Sequence, residues 1–196
     1  MAPPGKAGRK EVYGFMGDYK RELAGRKSKA TGQLFEKMIE DACSFYRHEG
    51  IASIEKTPEP VKCLQMQDNG RFVGCFTKSA QPDFKGVLCD GTCITFDAKH
   101  TDTDRISQSA VLEQQADFFD TYEKLGAHCF VLVSIGFRDF FRVPWTDWKR
   151  MKELFGHKHM TREEMQGYKI PSRLRIAFLE GVELREHDRD EKGEQV

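Results

Sequence analysis

Three residues on two adjacent extended segments carry the chemistry that can be read most directly from this chain: Asp83, Asp97 and Lys99. The stretch Thr92-Cys93-Ile94-Thr95-Phe96-Asp97-Ala98-Lys99 alternates, so Ile94, Phe96 and Ala98 share one face of a strand and Thr95, Asp97 and Lys99 the other. Pro82-Asp83 opens the preceding segment, which reaches the alternating stretch through a turn at Asp90-Gly91, so a hairpin would carry Asp83 to the far end of its partner strand, beside Asp97. Two converging carboxylates in a partly dry site are costly to ionise together unless a cation lies between them. Hard oxygen donors of this kind select Mg²⁺ or Mn²⁺. With a lysine one pleat away, the set suits phosphodiester hydrolysis: a cation-activated water attacks phosphorus, and the ammonium orients that water or neutralises the transition state.

The elements that must position these residues can be outlined from periodicity. Leu34, Phe35, Met38, Ile39, Ala42, Phe45 and Tyr46 recur at helical spacing, with Thr31 as a plausible N-cap and Gly50 ending the pattern. Ile51–Lys56 reads as a strand and is followed by a hairpin, Val61–Gln67 and Arg71–Thr77 about Asp68-Asn69-Gly70. The catalytic hairpin, Asp83–Cys89 with Thr92–His100, comes next. A second amphipathic helix spans Val111 to Leu125, Cys129–Ile135 is expected as the central strand, Arg138–Val143 could pair with it, and Trp145–Phe155 reads as a third helix. Residues 156–196 give little beyond the apolar Ile176–Leu179. The expected fold class is α/β, a mixed central sheet flanked by helices.

Composition sets outer bounds. The 196 residues suffice for one domain without disulfides, and 31 basic residues balance 31 acidic ones, which argues against nucleic-acid binding by bulk charge. The charge is unevenly placed: residues 1–30 hold eight Lys/Arg and three Asp/Glu, whereas residues 180–196 hold three and seven. We expect a flexible basic arm over 1–28, a nuclease domain over 29–180 and an acidic tail over 181–196. No secretory leader or membrane span is recognisable, so a cytoplasmic protein with reduced thiols is expected. Cys89 and Cys93 lack the second ligand pair of a zinc site, and His157 and His159 read as surface residues rather than as that pair.

Pro82-Asp83…Asp97-Ala98-Lys99 resembles the signature of the PD-(D/E)xK nucleases. Over residues 30–145 the chain is similar, in matching order, to the RecU Holliday junction resolvases. The shared pattern comprises Gly32-x-x-x-Glu36, Ile54-x-Lys56-Thr57-Pro58-x-Pro60, Asp83-Phe84-Lys85-Gly86, Phe96-Asp97-Ala98-Lys99, Gln115 and Cys129-Phe130-Val131. The resemblance implies a restriction-endonuclease-like fold with a protruding hairpin stalk over 61–78. It implies a homodimer that binds four-way DNA junctions and nicks two strands with Mg²⁺ or Mn²⁺. Asp83 and Asp97 would be metal ligands, Lys99 the catalytic lysine, Glu36 a further acid and Gln115 a positioning residue.

Lys62, Arg71 and Lys78 of the stalk, with Lys27 of the arm and Lys29 just after it, are the expected DNA contacts, and Phe72 and Phe76 either stack on bases or enter the core. Gln115 is either a positioning residue or a hydrogen-bonded core amide. His100 should point away from the acids and is not assigned. The chain departs from the family pattern in having Asp97 where glutamate is usual and Pro82 where threonine is usual. Two other readings stay open: a nuclease of the same fold acting on other branched or duplex DNA, and a DNA-binding recombination accessory with a degenerate site.

Overall fold

A computed structural model describes residues 6–58, 60–76 and 81–184, as backbone alone for 6–21 and 76. Helix α1 (Lys6–His48) leads into β1 (Ala52–Lys56), the hairpin β2 (Val61–Met66) and β3 (Phe72–Phe76), and then β4 (Phe84–Leu88) and β5 (Cys93–Thr101). There follow β6 (Arg105–Ser107), α2 (Glu113–Lys124), β7 (His128–Ile135), β8 (Asp139–Pro144), α3 (Trp145–Lys149), α4 (Met151–Phe155) and β9 (His159–Thr161). The main sheet runs β1-β4-β5-β7-β8. Its neighbours are antiparallel except β5 and β7, which pair in parallel through the crossover that contains α2. This is the expected mixed α/β sheet flanked by helices. Among the described residues no helix is long and apolar enough to cross a membrane.

Strand alternation divides the core into two layers. On one face Phe35, Ile39, Ala42 and Tyr46 of α1 cover Phe84, Ile94, Phe96, Phe130 and Leu132. On the other, Phe119, Trp145, Trp148 and Met151 cover Val131, Val133, Phe141 and Val143. Phe84, Phe96 and Phe130 lie opposite one another across three strands and stack at centroid distances of 5.0 and 4.7 Å, with Phe178 tilted against Phe96 at 5.0 Å. Such ring pairs add roughly 0.5–1.5 kcal/mol each beyond the area they bury. They hold rigid the backbone on which Asp83 and Asp97 are the next residues.

Several expectations need correction. Helix α1 begins at Lys6 rather than at Thr31, so residues 6–28 are helical and not an irregular arm. Thr31 does not cap: its hydroxyl bonds back to the carbonyls of Lys27 and Ser28 at 3.1 and 3.0 Å, as a hydroxyl does inside a helix. The Lys-, Arg- and Ala-rich run has good helix propensity, and Arg26 pairs with Glu22 one turn away at 2.7 Å. The middle of the sheet is β5, with β7 its neighbour rather than the centre. The third helix divides at Arg150 into α3 and α4. Residues 156–184 contribute β9, which pairs with β6, and supply Ile176, Phe178 and Leu179 to the core under α1. The tail from 185 onward lies outside the described residues.

The β2–β3 hairpin forms a sheet of its own, and its described side chains are exposed, Phe72 at 50% and Met66 at 69%. Phe72 therefore does not enter the core, while the Phe76 side chain lies outside the described residues. The Asn69-Gly70 turn takes the expected left-handed conformations, with φ of 66° and 74°.

One glycine is required by packing. A Cβ on Gly86 in β4 would stand 2.1 Å from the Ser53 carbonyl oxygen and 2.6 Å from Ile54 Cα in β1. Because both obstacles are backbone, Gly86→Ala should separate β1 from β4 and lower stability by roughly 1–3 kcal/mol, read from the denaturation midpoint.

Candidate active site

The β4–β5 hairpin brings Asp83 and Asp97 together, and their backbones cross-brace them. The Asp83 N–H donates to Asp97 Oδ1 at 3.2 Å, and the Ala98 N–H donates to Asp83 Oδ2 at 2.9 Å. Asp97 is fully buried on the α2 side of the sheet. Its Oδ2 accepts no aligned hydrogen bond and is held instead by the Lys99 ammonium, 2.5 Å away. The Lys99 side chain is 22% exposed, so the site opens to solvent on the lysine's side.

Gln115, in the first turn of α2, is a hydrogen-bonded buried amide. Its Oε1 accepts from the Leu112 N–H at 3.1 Å, half of a capping box that fixes where α2 starts. Its Nε2 donates to Asp97 Oδ1 at 3.0 Å. The buried amide thus fixes the orientation of the Asp97 carboxylate.

Burial, then the Asp97 charge and a hydrogen bond with Asp97, push the Asp83 carboxyl up from 3.8 to about 7, against the pull of Lys99 and the Ala98 N–H. Burial alone would lower Lys99, but the charges of Asp97 and Asp83 outweigh it, so its pKa is raised and it stays cationic. An acid whose folded pKa exceeds its unfolded one binds more protons when folded. The Asp83 contribution to stability is therefore complete below about pH 4, falls as pH rises, and levels off above pH 7. Asp83→Asn should flatten that decline, as measured by thermal melting between pH 4 and 8.

Glu36 reaches the neighbourhood from α1 but pairs with Lys56 at 2.7 Å rather than with the two aspartates. Its charge still acts on Lys99. Lys56, the last residue of β1, pairs in register with Phe84, and its ammonium senses both Glu36 and Asp83. Its place in the Ile54–Pro60 pattern was visible in the sequence, but nothing in the spacing marked it as a partner of Glu36. His100 points to the α1 face, as alternation requires, where it stacks on Phe137 at 4.1 Å and lies 3.2 Å from Ser134 Oγ.

Of the expected DNA contacts, Lys62 and Arg71 are exposed on the hairpin and Lys29 on α1. Lys27 is also exposed but pairs with Asp102 at 2.8 Å, and Lys78 lies outside the described residues. Cys89 is exposed as a free thiol, and among the described residues no three His, Cys, Asp or Glu side chains form a metal-holding group. Asp83 and Asp97 nonetheless fit a hard divalent cation. They are adjacent hard-oxygen donors in a buried site, and one of them holds its proton to about pH 7 because burial and the other's charge oppose its ionisation.

The sequence was also compared with known proteins. It is 29% identical to the Holliday junction resolvase RecU of Bacillus pumilus over 157 residues, covering 74% of this chain and 75% of that one. It is 26% identical to the protein of the same name from Pediococcus pentosaceus, over 78% and 82% of the two chains, and 32% identical to that of Streptococcus gordonii, over 52% and 54%. A solved Holliday junction resolvase, Hjc of Archaeoglobus fulgidus, superposes with a TM-score of 0.42 at 9% identity over 69% of this chain and 87% of that one, a likeness too distant to bear on the chemistry. The family described as Recombination protein U matches residues 30–184, a span that runs from the start of the apolar stripe of α1 through the acids, Lys99 and Gln115 to the Phe178 strap. The chain therefore belongs to the RecU family.

Proposed function

We propose that the protein is a metal-dependent endonuclease that resolves four-way DNA junctions by paired phosphodiester hydrolysis. The observation that carries this reading is the cross-braced pair Asp83 and Asp97 with Lys99 on Asp97 Oδ2. Asp83 and Asp97 would hold Mg²⁺ or Mn²⁺. That cation, when bound, supplies Lewis-acid stabilisation of charge on a phosphoryl oxygen and lowers the pKa of water. The residues themselves supply placement. Gln115 holds the plane of the Asp97 carboxylate, so the ligand geometry is set before substrate arrives. Lys99 keeps its proton beside the acids and offers positive charge where the phosphorane would develop it. Glu36, through Lys56, adds a neighbouring pair that keeps a second ammonium close to the site.

Asp97 in place of glutamate sets its carboxylate one methylene nearer the strand, and Gln115 and the Asp83 N–H reach it there. Two symmetric incisions need two sites about a two-fold axis, and the described residues of one chain hold a single Asp–Asp–Lys set, so the working unit is a homodimer. The exposed hairpin, with Lys62, Arg71 and Phe72, suits phosphate contact and stacking at the branch point. Lys29 on α1 extends the basic surface, beside Lys27, which is paired with Asp102. Six free cysteines suit a reducing compartment such as the cytoplasm.

Incubation of the purified protein with supercoiled plasmid tests the catalytic part of this reading. Nicking in Mg²⁺ or Mn²⁺ that EDTA stops is the expected result. Plasmid left intact under both conditions would favour a DNA-binding accessory role.

A further inference from the structure

Beyond the hairpin and the catalytic acids, the β6–β9 ribbon carries a polar groove of about 520 Å³ lined by Thr103, Arg105, Ser107, Lys158 and His159. Its two strands pair antiparallel, Arg105 with Thr161 and Ser107 with His159, so Arg105, Lys158 and His159 stand around one concavity. Three other cations, Arg162, Lys169 and Lys149, are neutralised by neighbours. Arg162 pairs with Asp104 at 3.0 Å and Asp139 at 3.1 Å, Lys169 with Asp139 at 2.6 Å, and Lys149 with Asp120 and Glu123 at 3.0 and 2.6 Å. Arg105 and Lys158, both exposed, form no ion pair among the described residues.

The nearby acids are already engaged. Asp102 binds Lys27 at 2.8 Å, Asp104 binds Arg162, and Glu164 binds His157 at 3.2 Å and the Thr161 N–H at 2.8 Å. His159 stacks on His157 at 3.8 Å, which holds its ring at the groove. Two unneutralised cations, an imidazole and hydroxyls facing one open groove form a surface for an anion with several oxygens.

The position of the groove identifies that anion. Strand β6 lies between the two chain segments that build the active site: Lys99 is six residues before Arg105, and Gln115 follows the turn that β6 enters. Six residues span at most about 20 Å, so Arg105 lies within that distance of Lys99. At roughly 3.4 Å per base pair this is about half a turn of duplex. We infer that the β6–β9 ribbon is a DNA-backbone contact, in which Arg105 and Lys158 take phosphates of the duplex arm that also carries the scissile bond. The inference rests on the proposal that the chain acts on DNA and adds a second grip, separate from the hairpin. The hairpin meets the branch, whereas the ribbon meets an arm, so its contribution is the same for junction and linear duplex.

The test is fluorescence anisotropy with a synthetic four-way junction and a linear duplex, in EDTA, over a series of salt concentrations. Arg105→Ala with Lys158→Ala should weaken both substrates by about tenfold and reduce the salt slope by about one to two, since each phosphate contact contributes roughly 0.9. Arg105→Lys with Lys158→Arg should retain the parental slope. An alanine pair with parental affinity and slope would overturn the inference while leaving the nuclease reading intact. So would a charge-conserving pair as weak as the alanine pair, because the effect would then be structural. Failure of the parent itself to bind either DNA would overturn the functional reading together with the inference.

Discussion

Asp97→Asn should lower single-turnover cleavage of a four-way junction by about a thousandfold or more while leaving junction affinity within a few fold of the parent. A divalent cation at a phosphoryl oxygen contributes several kcal/mol to the transition state, and each 1.36 kcal/mol is tenfold in rate. The substitution keeps one carbonyl oxygen to accept from the Asp83 N–H and Gln115 Nε2, so the cross-brace and the start of α2 should survive. Lys99, partly exposed, can turn its ammonium to water. Asp83, relieved of a neighbouring charge, should ionise at lower pH than in the parent. DNA affinity comes from lysines and arginines elsewhere and is retained. Near-parental turnover in Mg²⁺ would show that Asp97 is not a metal ligand.

Lys99→Ala should lower the same rate by about 10²–10³-fold, the loss typical when a preorganised donor to developing charge is removed. Its effect on affinity should be slight, because Lys99 faces Asp97 and contributes at most one phosphate contact. A purely structural role would predict a different result. Removing the ammonium leaves two carboxylates without their compensating cation, so Asp83 should retain its proton to still higher pH. The loss should therefore appear in the rate and in a shifted pH profile, with a melting temperature near the parent's at acidic pH. An unchanged single-turnover rate across that profile would remove Lys99 from the chemistry.

How much of this was legible in the sequence depended on the range of the interaction. Alternation in Ile94–Lys99 and the turn at Asp90-Gly91 are local signals, and they placed Asp83 against Asp97 correctly because the pleat leaves little choice once the hairpin register is set. Gln115 was found by pattern, but its double hydrogen bond could not be read, since it links the first turn of α2 to a strand eighteen residues away. The start of α1 was missed because a polar, basic segment lacks apolar periodicity even where its helix propensity is good. Strands β6 and β9 were missed because three residues give no period; the apolar Ile176–Leu179 was visible, but a short run gives no local sign that its Phe178 closes a stack of three phenylalanines. Glu36 was placed near the acids by resemblance alone, and its partner Lys56 shows why: the pair joins a helix to a strand across twenty residues.

The central claim is tested most directly by single-turnover assay of an end-labelled synthetic four-way junction with Mg²⁺, run beside a linear duplex of the same sequence. Two nicks on opposed strands of the junction, symmetric about its centre and absent in EDTA, with the linear duplex cut far more slowly, are expected of a dimer with Asp83, Asp97 and Lys99 at each site. A junction that is bound yet remains intact in both Mg²⁺ and Mn²⁺ would contradict it.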